Sequence, residues 1–192
     1  MENFYYERPS LERKEEALEY IDEFYKYHSR INGTGGLHKY LQDYEGWLQK
    51  IESDRVVVPS EEKVPAETYF LIRESDNRIV GMVNIRLTLN DKLRHTGGHI
   101  GYGIRPTERQ KGYNKINLYL ALQVCQQNGI EEALLTCDKN NVASSRTMIA
   151  LGAQLIDEFE EEGSIEQKYK IDVQESLEKY KEKYTSHIQK KR

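Results

Sequence analysis

Between residues 10 and 51, apolar side chains recur every three or four positions, the spacing that lines one face of a helix. Leu11, Leu18, Ile21, Tyr25 and His28 share one such stripe, with Ser10 placed to cap it and Asn32-Gly33 to end it. Tyr40, Leu41, Tyr44, Trp47, Leu48 and Ile51 form a second stripe. Pro59 and Pro65 then bracket a charged loop, and the period shortens to two. Residues 68–73 and 79–89 read as a hairpin about the turn Ser75-Asp76-Asn77, with Gly81 marking a bulge. Residues 90–98 read as a polar loop and 99–104 as a short strand. A helix is predicted from about Tyr113 to Asn128, burying Ile116, Leu120 and Val124, widened by Leu118, Leu122 and Cys125 and ended by Gly129. Residues 132–137 form a nearly continuous apolar run, as in a strand buried on both faces. A short helix over 143–151 closes at Gly152, and 154–160 and 165–173 read as a hairpin turning at Glu162-Gly163-Ser164. Beyond Gln174, Leu177, Tyr180, Tyr184 and Ile188 fall at the spacing of a solvated amphipathic helix.

The order of these elements predicts an α+β fold, a mixed and mostly antiparallel sheet flanked by helices. One domain is expected over 1–173, including the N-terminal helices 10–51, with a helical extension over 174–192. A length of 192 residues suits that division. Hydrophobic residues at 38% and charged residues at 31% describe a globular, polar-rich chain. The net charge of -4 argues against a nucleic-acid partner. Cys125 and Cys137 stand apart from each other and from clustered histidines, so no metal site is expected and both read as reduced, buried thiols. The opening MENFYYERPS lacks the apolar run of a signal peptide, and no stretch is apolar for long enough to span a bilayer. A cytoplasmic protein without a membrane partner is the expectation.

The chemistry concentrates in residues 99–115, HIGYGIRPTERQKGYNK. A strand runs into a basic, glycine-containing turn that opens a helix. A helix start presents unpaired N–H groups and a partial positive charge, so phosphates bind there without special side chains. Gly112 lets the backbone approach an anion closely, and Arg109, Lys111 and Lys115 surround it with charge. These residues suit a phosphate or pyrophosphate cradle; read alone, the turn also fits an ordinary loop with surface lysines. Neither a Walker-type loop nor a dinucleotide fingerprint is present.

Ile104-Arg105-Pro106 followed by Arg109-Gln110-Lys111-Gly112-Tyr113-Asn114 resembles the Arg/Gln-x-x-Gly-x-Gly/Ala signature of the GNAT superfamily of N-acetyltransferases, with Asn114 in place of the final Gly or Ala. Asn141-Val-Ala-Ser144, opening a helix that ends at Leu151-Gly152-Ala153, is similar to a second landmark of that superfamily. The likeness covers about residues 68–173 and extends to a bacterial acetyltransferase group marked by GHIGY-x-IRP. It implies acetyl-CoA as co-substrate, its pyrophosphate held by Ile104, Arg109, Gln110, Lys111, Gly112, Tyr113, Asn114 and Lys115. Asn141 would contact the pantetheine arm, although its position equally suits a helix cap. Ser144 would lie near the cofactor.

The resemblance further implies direct attack of an amine on the thioester between two splayed strands. Main-chain N–H groups near residues 103–105 would hold the carbonyl oxygen. A protonated amine needs a base, for which His99 has a suitable ordinary pKa, although its position equally suits a structural histidine that hydrogen-bonds the sheet; His95 is a weaker candidate, and Glu67 a further base or substrate anchor. The tyrosine that often protonates the leaving thiolate is replaced by Met148; either Tyr102 or another residue substitutes, or the thiolate leaves without an acid. The expected activity is acetyl transfer to a primary amine of a small molecule or peptide by a monomer or homodimer. The alternatives are a non-catalytic acyl-CoA-binding regulatory module and a protein-interaction domain whose turn binds nothing.

Overall fold

The chain opens with a strand rather than the expected helix. In the computed structural model, which describes residues 2–188, Phe4–Glu7 (β1) pairs antiparallel with Ala66–Arg73 (β2). Four residues are too few for a period of two to stand out, yet Phe4 is fully buried. A 3₁₀ turn, Leu11–Arg13, leads into Lys14–Lys26 (α1). Ser10 makes no side-chain cap, and the buried stripe is Ala17, Tyr20, Ile21 and Phe24. Leu11 and Tyr25 stay half exposed, which corrects the predicted face. Turning Tyr20 and Phe24 inward lets their rings pack together at 4.9 Å. Tyr44–Asp54 (α2) is capped by Asp43, which accepts from the Gly46 N–H at 3.0 Å, and buries Tyr44, Trp47 and Ile51 as expected.

Strands β2, Arg78–Arg86 (β3) and Ile100–Ile104 (β4) continue the antiparallel sheet in the order β1-β2-β3-β4. Leu71 faces Gly81 while Ile72 faces Ile79, so Val80 is the extra residue of a bulge beside Gly81, where one was expected. The supposed loop before β4 holds a single helical turn, Asp91–His95 (α3), capped by Asn90. Five residues are too short to show a helical period.

Tyr113–Gln127 (α4) links β4 to the second sheet, whose strands Glu132–Asp138 (β5), Ser164–Asp172 (β7) and Gln154–Glu161 (β6) lie in the order β5-β7-β6. Val142–Ile149 (α5) joins β5 to β6. In β5 only Ala133, Leu135 and Cys137 are buried; Leu134 and Thr136 are half-buried on the opposite face, so the strand is covered fully on one side. The tail folds back as Val173–Lys179 (α6) and Lys181–Thr185 (α7). Tyr119 on α4 donates to the Leu177 carbonyl and packs its ring at a tilt against Tyr184, while the Phe4 N–H donates to the His187 carbonyl at 2.8 Å. The tail therefore joins the main core, and residues 189–192 of the predicted extension lie outside the described residues.

Two cores sandwich the first sheet, and the second sheet packs on one of them. Helices α1 and α2 cover one face through Tyr20, Phe24, Trp47, Phe70 and Met82. Helices α4, α5 and α6 cover the other through Leu118, Leu122, Met148 and Leu177. The loop after α1 lies directly on β4: a Cβ at Gly33 would sit 2.6 Å from the Tyr102 Cα, and one at Gly103 would sit 3.0 Å from the Asn32 carbonyl oxygen. Bare glycines on β4 thus admit the α1–α2 loop over this face of the strand. Among the described residues, no helix is long and apolar enough to cross a membrane.

Candidate active site

The turn between β4 and α4 has an unusual backbone. Gln110 and Gly112 both adopt left-handed conformations, with φ of 63° and 82°. For Gln110 that costs about 1 kcal/mol, an expense that clusters at functional turns. Among the described residues, nothing accepts a hydrogen bond from the N–H groups of Gln110, Gly112, Tyr113 or Asn114, while Arg109 and Gln110 form a turn closed by the Lys111 N–H. Consecutive free amides in a left-handed turn at a helix start form a concave anion receptor. A Cβ at Gly112 would meet nothing within 4 Å, so the space before the turn is open. The residues fit a diphosphate.

The charged side chains contribute less than expected. Arg109 turns back into the protein, its Nε donating to the Ile104 carbonyl at 3.2 Å and its Nη2 to Ser29 Oγ at 2.6 Å, with Phe24 beneath it. Lys111 Nζ lies 2.7 Å from Glu108. Lys115 is half-buried and has no ion-pair partner among the described residues. The cradle is therefore mostly main chain.

Three residues that the sequence reading passed over hold this turn in place. Glu108, 4% exposed, takes Arg73 at 2.7 Å, Arg78 at 3.4 Å and Lys111. Burial pushes its pKa up, but the Arg73 and Lys111 cations outweigh that and hold it below the usual glutamate value. Arg105 is fully buried; it donates to the Ile79 carbonyl at 3.0 Å and reaches Glu19 and Glu23 at 3.0 and 3.1 Å. Asn117, also fully buried, receives the Tyr6 hydroxyl at 2.8 Å and fastens the first turns of α4 to β1. An Asn among Ile116, Leu118 and Tyr119 was the available signal for the last of these. Glu108 and Arg105 had none, because the arginines that meet Glu108 and the glutamates that meet Arg105 lie 30 or more residues away in sequence.

Beside the cradle, β4 and β5 form a fork. Among the described residues, their backbones are hydrogen-bonded only at the head of β4, where the His99 N–H donates to the Leu134 carbonyl at 2.7 Å. The Leu134 N–H returns the bond to His99 Nδ1 at 3.0 Å. The Gly97 N–H donates to Thr136 Oγ1 at 2.9 Å. A Cβ at Gly98 would come within 2.2 Å of the Leu134 carbonyl oxygen, so glycine is required at this crossing. Burial, then the Arg94 and Arg86 cations, lower the His99 pKa to about 4, and the ring is neutral at pH 7.

Beyond this vertex the edge of β4 is open. The Arg105 N–H is taken by the Val80 carbonyl at 2.9 Å, and Arg86 pairs with the His99 carbonyl. Antiparallel alternation then turns Gly101 and Gly103 toward β3, and the N–H groups of Tyr102 and Ile104 toward the fork. Of the expected span 103–105, only Ile104 faces the gap. The Tyr102 side chain crosses toward α5, its hydroxyl 2.9 Å from Ser144 Oγ. Burial raises its pKa. Burial also pushes the neighbouring Cys137 thiol up to about 11, which leaves it un-ionised. Asn141 caps α5, accepting from the Ser144 N–H at 3.2 Å. Met148 is sealed in the core. His95 lies apart on α3, 3.4 Å from Glu161, and Glu67 is tied to Arg8 and Tyr69.

On the α1–α2 side of the fork, Asp138 and Glu166 face each other across β5 and β7, and Arg30 approaches Asp138 at 3.7 Å. Burial and the Asp138 charge raise the Glu166 pKa.

The model of the acetyltransferase (GNAT) domain family matches residues 10–154. Among solved structures, RimJ of Mycobacterium smegmatis in complex with CoA-disulfide superposes with a TM-score of 0.68 at 12% identity, covering 93% of this chain and 89% of that one. The ribosomal-protein-S5-alanine acetyltransferase of Vibrio fischeri gives 0.66 at 12% identity, covering 90% and 94%. A GNAT-family acetyltransferase of Bacillus anthracis gives 0.63 at 16% identity, covering 91% and 99%. At such identities these likenesses establish the fold. Comparison with curated proteins finds no match.

Proposed function

The chain belongs to the GNAT acetyltransferase family, and from that premise we propose that it moves the acetyl group of acetyl-CoA onto a primary amine of a small molecule or peptide. The observation that carries this reading is the set of unpaired main-chain N–H groups at Gln110, Gly112, Tyr113 and Asn114. They, with Gly112 at their centre, would hold the diphosphate, and Lys115 would add charge at its side. Asn141 and Ser144, at the start of α5, would border the pantetheine arm.

Acetyl-CoA supplies an activated thioester carbonyl. The protein's part is to place it and to stabilise the charge that develops on its oxygen. The Ile104 N–H, turned into the fork, suits that oxygen. Tyr102 keeps its proton at neutral pH, so its hydroxyl acts as a hydrogen-bond donor toward the sulfur rather than as an acid that ionises. An alkylamine arrives protonated and must lose a proton before it attacks. His99, neutral and already bonded through Nδ1, is a poor base. Glu166, its pKa raised, and Asp138 form a carboxylate pair on the acceptor side that can attract a cationic amine and accept its proton.

Two measurements test the reading. Calorimetric titration with acetyl-CoA should show binding that Gly112→Glu abolishes. Release of free thiol should then depend on an added amine across a panel of small amines and peptides. Binding untouched by Gly112→Glu would contradict the placement of the cradle. Binding without amine-dependent thiol release would favour a non-catalytic acyl-CoA-binding module.

A further inference from the structure

A neutral imidazole stands where two strands part. The first sheet ends at β4 and the second begins at β5, and the described backbone joins them only at residues 98–99 and 134–135. At this vertex the His99 main chain donates to the Leu134 carbonyl, while the returning bond, from the Leu134 N–H, goes to a side-chain nitrogen. The His99 carbonyl is turned to β3 instead, where it accepts from the Arg86 N–H at 2.7 Å. Without Nδ1, the Leu134 N–H would be left unpaired at the join.

Resting on the acetyl-CoA reading of the fork, we propose that His99 is a positioning residue: its Nδ1 takes the place of a strand carbonyl at the vertex and fixes where β4 leaves β5, and so the depth of the thioester slot. Two neighbours point the same way. Thr136 Oγ1 serves the Gly97 N–H in the same manner, so side-chain acceptors replace main-chain ones on both strands at this crossing. Gly98 brings the chain so close to Leu134 that the register there has no slack. The open N–H groups of Tyr102 and Ile104 lie on the strand that begins at this join, and a shift of the vertex would carry both away from the oxygen they would bind.

The role makes a chemical distinction that a generic core residue would not. Asparagine places Oδ1 where histidine has Nδ1, whereas the longer glutamine carries its oxygen near the position of Nε2. Acetyl-CoA titrations of His99→Asn should match the wild type, while His99→Gln should bind about tenfold more weakly, the equivalent of one lost hydrogen bond. Equal affinities for the two variants, or a weaker His99→Asn, would overturn the proposal. A second readout needs no ligand: nitrogen-15 NMR at pH 7 should show His99 protonated at Nε2 with Nδ1 bare. A proton on Nδ1 would overturn the proposal whatever acetyl-CoA does. A wild-type protein that fails to bind acetyl-CoA but shows the bare Nδ1 would instead sink the functional reading of the fork while leaving the vertex bond in place.

Discussion

Acid should loosen this protein at one identifiable joint. His99 has a pKa near 4 in the fold against about 6.5 in an unfolded chain. Between those values the unfolded chain binds the proton and the folded one refuses it, so stability rises with pH and is lost as pH falls. From pH 7 to pH 5 the full shift corresponds to about 2 kcal/mol, and solvent reaching the half-buried ring reduces it to about 1 kcal/mol. Lowered carboxylates such as Glu23 and Glu108 add an acid limb of their own at lower pH. The variant His99→Asn separates the contributions because it keeps an acceptor and removes the titration. Urea unfolding at pH 7 and pH 5 should give the wild type a loss larger than that of His99→Asn by about 1 kcal/mol. Parallel losses in the two proteins would refute the buried neutral imidazole.

Removing the Arg105 guanidinium as Arg105→Met strands Glu23 beside a cavity, and urea unfolding should report a loss of about 3 kcal/mol; a change below about 1 kcal/mol would mean that the pair is solvated. Gly98→Ala drives a Cβ against the Leu134 carbonyl in a left-handed conformation, and thermal unfolding should fall as expected for a loss of roughly 2–4 kcal/mol. Tyr102→Phe should leave acetyl-CoA affinity within about threefold in calorimetry but slow amine-dependent thiol release about tenfold; an unchanged rate would remove the hydroxyl from the reaction.

Long periodic segments were legible in the sequence. Helix α4 and the two hairpins stand close to their predicted bounds, and Gly81, Gly129 and Gly152 mark a bulge and two helix ends as read. Short elements were not, since β1 and α3 have too few residues to show a period. The stripe of α1 was misplaced because spacing alone does not say whether Leu18 or Tyr20 faces a partner. At the candidate site the glycine turn could be read locally, being built from consecutive backbone groups. The partner of Arg109, and the choice between base and sheet anchor for His99, could not. They depend on Ser29 and on the Leu134 amide, which only the folded chain brings near.

A crystal structure of the protein with acetyl-CoA addresses the main-chain cradle most directly. The diphosphate oxygens should lie within hydrogen-bond distance of the N–H groups of Gly112 and its neighbours, with the thioester between β4 and β5. A diphosphate seated elsewhere, with those amides still facing water, would contradict it.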